Sequence, residues 1–215
     1  MDIPIGMTIG INRIAVSVRS LGPGRRVSIW VQGCTLGCRG CASTDTWDGD
    51  NGTPLPVTDL ADTVAGLLTD HDGITITGGE PFQQGAAVAE LLGHLDNRGA
   101  LEDRDVLVFT GYAAPRAQRL CPELWERADA IVAGPYLPDR AGEAWLRASD
   151  NQELHVKSAL AEERFRNGDR RVIQVATPGR DLAIAGLPRA GDLDEFRRRL
   201  VSRGIALQGG VSWLE

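Results

Sequence analysis

Three of the four cysteines, Cys34, Cys38 and Cys41, fall within eight residues, in the run Gln32-Gly33-Cys34-Thr35-Leu36-Gly37-Cys38-Arg39-Gly40-Cys41. This C-x3-C-x2-C spacing gathers three thiolates on one short loop, and glycines at 33, 37 and 40 let the backbone fold around a compact centre without Cβ clashes. The β-rich stretch Val27-Ser28-Ile29-Trp30-Val31 runs straight into the loop, so the cysteines follow a strand. Cubane iron–sulfur clusters are held by thiolates. Three protein ligands leave one iron free for another ligand, and an open position marks a chemically active centre rather than a structural one. The other readings fit less well. A structural zinc site asks for four ligands, and the nearest histidine, His71, lies thirty residues beyond Cys41 with no ligand-like spacing. A redox dithiol leaves the third cysteine unexplained. Cys121, just before Pro122 at an apparent helix start, reads as a core or surface thiol.

The rest of the composition narrows the setting. Clustered cysteines in a chain with no basic region and apolar stretch after Met1-Asp2-Ile3-Pro4 point to the cytoplasm and to metal ligation rather than a disulfide frame. No apolar run approaches the roughly 18 residues of a membrane helix. A net charge of −6 argues against general affinity for nucleic acid, which needs clustered Lys and Arg.

Along the chain, Ile11 to Val18 and Val27 to Val31 read as strands separated by Gly22-Pro23-Gly24, and Asp48 to Pro56 reads as a loop. Val57 to Asp70 carries Val57, Leu60, Ala61, Val64, Leu67 and Leu68 at the spacing of a helix with one buried face. Gly73 to Thr77 is a strand ended by Gly78-Gly79. Gln84 to Arg98 is a second helix, with Gly99 placed to terminate it. Val106 to Phe109 is a continuous apolar run, as in a strand buried on both faces. Pro122 to Arg127 is helical and Ala130 to Val132 a further strand. Alternating strands and helices predict a mostly parallel sheet, whose ligands gather at the carboxyl ends of the strands. The cysteine loop, the Gly-Gly turn and Thr110-Gly111-Tyr112 all follow strands and should therefore meet on one edge. Past about Glu153 the pattern changes. Arg171–Ala176 and Leu182–Ala185 read as two strands joined by Pro178-Gly179. Asp192 to Arg203 reads as a helix capped by Asp192, with Leu193, Phe196, Leu200 and Val201 on its inner face and Gly204 at its end.

With these motifs the chain resembles the radical S-adenosylmethionine (SAM) enzymes, and its flanking residues are similar to the activating enzymes of glycyl-radical proteins, especially the small activase of anaerobic ribonucleotide reductase. The residues that carry the resemblance are Gly22-Pro23-Gly24-Arg25-Arg26, Gln32-Gly33-Cys34, Thr46-Trp47-Asp48, Thr77-Gly78-Gly79-Glu80-Pro81, Thr110-Gly111-Tyr112 and Asp150-Asn151-Gln152, in the family's order across about residues 10 to 155. The resemblance implies a 4Fe-4S cluster on Cys34, Cys38 and Cys41, its open iron chelated by SAM and its reduction splitting the cofactor to a 5′-deoxyadenosyl radical. It implies that the Gly78-Gly79-Glu80-Pro81 turn binds the methionyl amino group, two glycines allowing close approach and a carboxylate satisfying an ammonium. It also implies that Thr110, Tyr112, Ser149, Asn151 and Gln152 border the cofactor pocket, that Trp47 shields the cluster, and that a flavodoxin or ferredoxin supplies the electron.

The expected fold is α/β, a partial open (β/α) barrel with a mostly parallel sheet and the cluster loop at its mouth. A radical SAM core over residues 1–155 is followed by a small α+β extension, 156–215, packed on it. Several positions depart from the activase pattern: Leu21 stands where an acidic residue precedes Gly-Pro-Gly, Ala133 where Asp precedes Gly134-Pro135, and Ala42-Ser43 follows the last cysteine. Two substrates stay open at this point, the glycine of a glycyl-radical protein and a small molecule or peptide. A non-catalytic iron–sulfur protein is the third reading, against which the complete Gly-Gly-Glu-Pro turn argues.

Overall fold

The computed structural model describes residues 6–166, 173–176, 182–189 and 191–205. The opening Met1-Asp2-Ile3-Pro4, residues 171 and 172 and the Pro178-Gly179 turn lie outside them.

Eleven residues, Thr8–Val18, form β1, which pairs antiparallel with β2, Arg26–Val31. Every residue of β2 is buried, as its central place in the sheet requires. β4 (Gly73–Gly78), β5 (Asp105–Thr110) and β6 (Ala130–Ala133) then add in parallel, one beside the next, linked by α1 (Val57–Leu68), α2 (Gly85–Asn97), α3 (Ala114–Leu120) and α4 (Pro122–Arg127). β3 (Thr53–Pro56) closes one edge of the sheet on β1, and β7 (Glu153–Val156) closes the other on β6, both antiparallel. The seven strands run in the order β3-β1-β2-β4-β5-β6-β7. The architecture is thus the expected α/β one, with the parallel β2-β4-β5-β6 block at its heart.

Strand alternation divides the core between the two faces. Val27, Ile29, Val31, Ile74, Ile76, Val106, Val108 and Ile131 point to one side, where they meet Leu60, Val64 and Leu68 of α1 and Val88, Leu91, Leu92 and Leu95 of α2. Each fully buried aliphatic side chain there contributes about 1.5–3 kcal/mol. Leu107, Ala130 and Val132 face the opposite side and pack on Ala161 and Phe165 of α5 (Ala159–Phe165). On that face Val18, Leu21 and Trp30 also meet Ala185 of β9 (Ala183–Gly186) and Leu187 just past it; β9 and β8 (Ile173–Ala176) form a separate antiparallel pair. The C-terminal region is held there by polar contacts too. Arg19 N donates to Gln174 Oε1 at 2.9 Å and Ser20 Oγ to the Ala185 carbonyl at 2.8 Å.

Four local expectations change. The 48–56 loop contains β3, because pairing with β1 rather than side-chain pattern makes it a strand; Pro54 and Pro56 are tolerated there because β3 lies on the sheet edge. α3 and β7 were not foreseen: α3 buries only Ala117 and β7 has only four residues, too little for periodicity to register. The last helix, α6 (Asp192–Ser202), has Gly191 rather than Asp192 at its N-cap, and the Asp192 carboxylate instead accepts the Arg189 N–H at 2.8 Å. Val201 is 61 % exposed, so the inner face of α6 ends at Leu200.

Candidate functional site

The carboxyl ends of the four parallel strands are stitched together by hydrogen bonds into one continuous edge. Past β4, Gly79 N donates to the Val31 carbonyl at 2.8 Å and Glu80 N to the Gly33 carbonyl at 2.9 Å, fastening the Gly-Gly turn to the start of the cysteine loop. Past β5, Gly111 N donates to Glu80 Oε2 at 2.8 Å and Thr110 Oγ1 to Glu80 Oε1 at 2.7 Å. Past β6, Gly134 N donates to the Thr110 carbonyl at 3.1 Å, and Gln152 Nε2 donates to the Gly134 carbonyl at 2.9 Å. The three segments expected to meet therefore do meet, and the 149–152 segment joins them.

Two glycines make the closest approach possible. Gly78 has φ +99°, and a Cβ there would lie 2.7 Å from the Trp30 Cα and Val31 backbone; at Gly79 a Cβ would run into the Gly33 carbonyl oxygen. Because those neighbours are backbone and cannot rotate away, Gly79→Ala is expected to cost about 1–3 kcal/mol by overpacking. Urea unfolding of the cluster-free protein measures this, and an unchanged midpoint would show that the two segments are free to separate.

Glu80 is 1 % exposed and also accepts the Phe82 N–H at 2.9 Å, so three donors converge on one carboxylate. Burial pushes its carboxyl above the ordinary value; the donors at Phe82, Thr110 and Gly111 pull back without cancelling that push. A carboxylate has about four acceptor sites, so capacity for one further donor remains. Pro81 opens the short helical turn Pro81–Gln84. Gln83, which the sequence reading passed over, links two parts of the site: its Nε2 donates to Thr35 Oγ1 at 2.7 Å and to the Tyr112 hydroxyl at 2.9 Å, and its Oε1 accepts Thr35 N at 3.2 Å. The available signal was its place, on the first turn after Gly-Gly-Glu-Pro. Tyr112 is buried, with the Arg116 guanidinium 4.4 Å above its ring.

In the 149–152 segment most polar groups are already engaged. Asn151 Nδ2 donates to the Pro135 carbonyl at 2.7 Å, Ser149 Oγ accepts Leu137 N at 3.2 Å, and Gln152 Oε1 accepts Ala148 N at 2.7 Å. Asn151 Oδ1 is buried with no hydrogen-bond partner.

The three cysteines are half-buried free thiols on the loop after β2, whose Gly33, Gly37 and Gly40 take φ of +97°, +58° and +74°. Burial raises the Cys34 thiol; the Leu36 N–H lowers it, and the charges of Glu80, Cys41 and Cys38 raise it further. Burial likewise raises Cys41, against the lowering effect of the Ser43 N–H, which donates to its sulfur at 3.4 Å, and of the nearby Trp47 side chain. Cys34 and Cys41 thus feel neighbouring charge, and three sulfurs on one loop form a donor set suited to a thiolate-held iron–sulfur centre. Among the described residues no three His, Cys, Asp or Glu side chains converge on a single metal position; a cubane, with one thiolate per iron, does not ask for that. Cys121 lies elsewhere, packed on the core against Gly85 at the start of α2.

Residues 20–155 match the family described as "4Fe-4S single cluster domain". The anaerobic ribonucleoside-triphosphate reductase-activating protein of Enterobacteria phage T4 is 30% identical over 136 residues, 62% of this chain and 85% of that protein. Its namesake from Pasteurella multocida is 30% identical over 145 residues, 62% of this chain and 89% of that protein. Among solved structures, QueE from Escherichia coli overlaps 59% of this chain and 71% of its own at a TM-score of 0.43 and 18% identity. No helix among the described residues is long and apolar enough to cross a membrane. The family match takes in the whole stitched edge, from the cysteine loop to Gln152, and the chain belongs to the 4Fe-4S single cluster family, within it to the radical SAM activating enzymes.

Proposed function

We propose that this enzyme binds SAM at the carboxyl edge of its parallel strands, cleaves it reductively, and uses the radical formed to abstract hydrogen from a glycyl-radical subunit of the kind named by its relatives. In this reading Cys34, Cys38 and Cys41 hold the 4Fe-4S cluster. Gly78, Gly79, Glu80 and Pro81 receive the aminoacyl end of SAM, while Thr110, Tyr112, Ser149, Asn151 and Gln152 line its pocket. When bound, the cluster supplies the electron that splits the SAM sulfonium into methionine and a 5′-deoxyadenosyl radical.

The observation that carries this reading is the position of Glu80. It is a buried carboxylate with acceptor capacity to spare, bonded through its own N–H to the residue before Cys34. A cationic amino group arriving beside the cysteine loop satisfies a charge that burial otherwise penalises. Asn151 Oδ1, buried and unpartnered, offers one further acceptor. In this reading residues 1–155, of which 20–155 match the family, form the core, with 156–215 an extension packed on it; the electron comes from a flavodoxin or ferredoxin.

The test is anaerobic iron–sulfur reconstitution, dithionite reduction with SAM, and chromatographic assay of 5′-deoxyadenosine. The wild-type chain is expected to form it and Cys38→Ala to form none, since losing a thiolate removes a cluster ligand. A stable cluster that never yields 5′-deoxyadenosine would leave an electron-transfer protein, and bound zinc without iron would overturn the ligand assignment.

A further inference from the structure

The amide of Gln83 has one orientation open to it. A backbone N–H can only donate, and that of Thr35 lies 3.2 Å from Oε1. Nε2 therefore takes the other side, where its two protons go to Thr35 Oγ1 at 2.7 Å and to the Tyr112 hydroxyl at 2.9 Å. With its oxygen accepting from Gln83, Tyr112 keeps its own O–H proton to donate. Tyr112 is 7 % exposed, and among the described residues no acceptor receives that proton. A buried donor left unpaired is costly, so an acceptor brought to it by a ligand gains by taking it.

The surroundings of the hydroxyl say what that acceptor is. Thr35 directly follows Cys34, and a Cβ at Gly111 would run into the Leu36 side chain, so the cysteine loop lies directly over the turn that carries Tyr112. Glu80, which accepts the Gly111 N–H, puts a negative charge on one side of this turn. The Arg116 guanidinium, 4.4 Å from the centre of the Tyr112 ring, puts a positive charge on the other. An α-amino acid end fits both, its ammonium toward Glu80 and its carboxylate toward Tyr112. We propose that Tyr112 binds the aminoacyl carboxylate of SAM through its hydroxyl, and that Gln83 is a positioning residue that holds this hydroxyl as a donor. The inference rests on the reading that SAM binds on this edge beside Glu80.

Equilibrium dialysis of SAM against the reconstituted full-length chain tests both assignments, with iron content per chain measured for each protein. Tyr112→Phe removes one oxygen and is expected to weaken binding about 10- to 100-fold, the loss of a hydrogen bond to a charged group. Decarboxylated SAM should bind wild type and Tyr112→Phe equally; the same loss with that ligand would overturn the choice of the carboxylate. Gln83→Glu keeps the side-chain length and reverses one bond. A carboxylate only accepts, so it still takes the Thr35 N–H but draws the Tyr112 proton to itself. SAM binding is expected to weaken about tenfold or more in the wild-type background and clearly less in the Tyr112→Phe background, where no phenolic proton remains to divert. The added charge acts in both backgrounds and cancels from the comparison. Unchanged binding by Tyr112→Phe with a full cluster overturns the assignment of Tyr112, and equal losses from Gln83→Glu in the two backgrounds overturn that of Gln83. Wild-type protein that holds its cluster and binds no SAM would instead overturn the reading of the edge on which both assignments rest.

Discussion

Asp105→Asn is expected to lower the stability of the cluster-free protein by about 3–5 kcal/mol, the cost of leaving a buried charge without its partner. Arg26 and Asp105 are both 0 % exposed, and Arg26 Nη2 lies 2.7 Å from Asp105 Oδ1, a contact off hydrogen-bond geometry whose worth is therefore Coulombic. The guanidinium spends its hydrogen bonds elsewhere: Nε on Thr75 Oγ1 at 2.7 Å, Nη2 on the Ile74 carbonyl at 2.7 Å and the Asp105 carbonyl at 3.0 Å, Nη1 on the Pro23 carbonyl at 3.1 Å. Asparagine preserves shape and leaves all four in place while removing the one countercharge in contact with Arg26 among the described residues, and its amide must turn an NH2 toward Arg26 or Arg164, so the loss reads the charge together with that mismatch. Arg164, one-quarter exposed, donates to Asp105 Oδ2 at 2.8 Å, and Arg164→Ala, which leaves that buried oxygen without its donor but keeps the Arg26 charge beside it, should cost about 1–3 kcal/mol. Urea unfolding of the two variants beside wild type gives the comparison. Equal midpoints for Asp105→Asn and wild type would mean that the acceptors around Arg26, not Asp105, keep the charge buried. Against a typical total of about 5–15 kcal/mol, the expected loss is a large share, and it comes from the end of the strands opposite the cysteine loop.

That ion pair shows where sequence reading stops. Gly22-Pro23-Gly24-Arg25-Arg26 was legible as a motif, but nothing local distinguishes a surface arginine from the largest fully buried side chain of the core. The distinction depends on Asp105, seventy-nine residues away, which β5 brings alongside through β4. Elements whose own side chains carry their burial pattern were readable: α1 and α2 from period, β5 from its unbroken apolar run Val106–Phe109. β3 and β7 were not, because edge strands take their identity from a neighbour's hydrogen bonds. The site divides in the same way. Which segments share an edge followed from strand order, since the cysteine loop, the Gly-Gly turn and Thr110-Gly111-Tyr112 each succeed a parallel strand. What Glu80 and Gln83 bond to did not follow, because Thr110, Gly111, Thr35 and Tyr112 are brought to them only by sheet closure. Leu21, in the place of an acidic residue, packs with Trp30 against Ala185 and Leu187, so that departure answers to the C-terminal region.

Glu80→Gln is expected to weaken SAM binding by about 10- to 100-fold, the loss of one charge-assisted hydrogen bond of about 1.5–3 kcal/mol. Equilibrium dialysis of SAM against reconstituted protein measures this directly. The substitution also acts on the protein itself, and the two effects separate by pH. In the cluster-free wild type the Glu80 carboxyl titrates above its ordinary value because of burial. A carboxyl raised on folding contributes stability that is complete below its unfolded pKa, about 4.3, and is lost as pH rises through the folded value. Glutamine carries no such charge, so the stability difference, wild type minus variant, should shrink as pH rises through that window. It should not vanish. Glutamine's amide NH2 must face either the Gly111 N–H or the donors Thr110 Oγ1 and Phe82 N, leaving at least one buried donor unpaired at about 1–3 kcal/mol. Glu80→Ala leaves all three donors unpaired and should be the less stable variant at every pH. If Glu80→Gln bound SAM as tightly as wild type while showing this pH-dependent stability difference, Glu80 would be a structural carboxylate that joins β4 to β5, and the amino group of SAM would have to be received elsewhere on the edge.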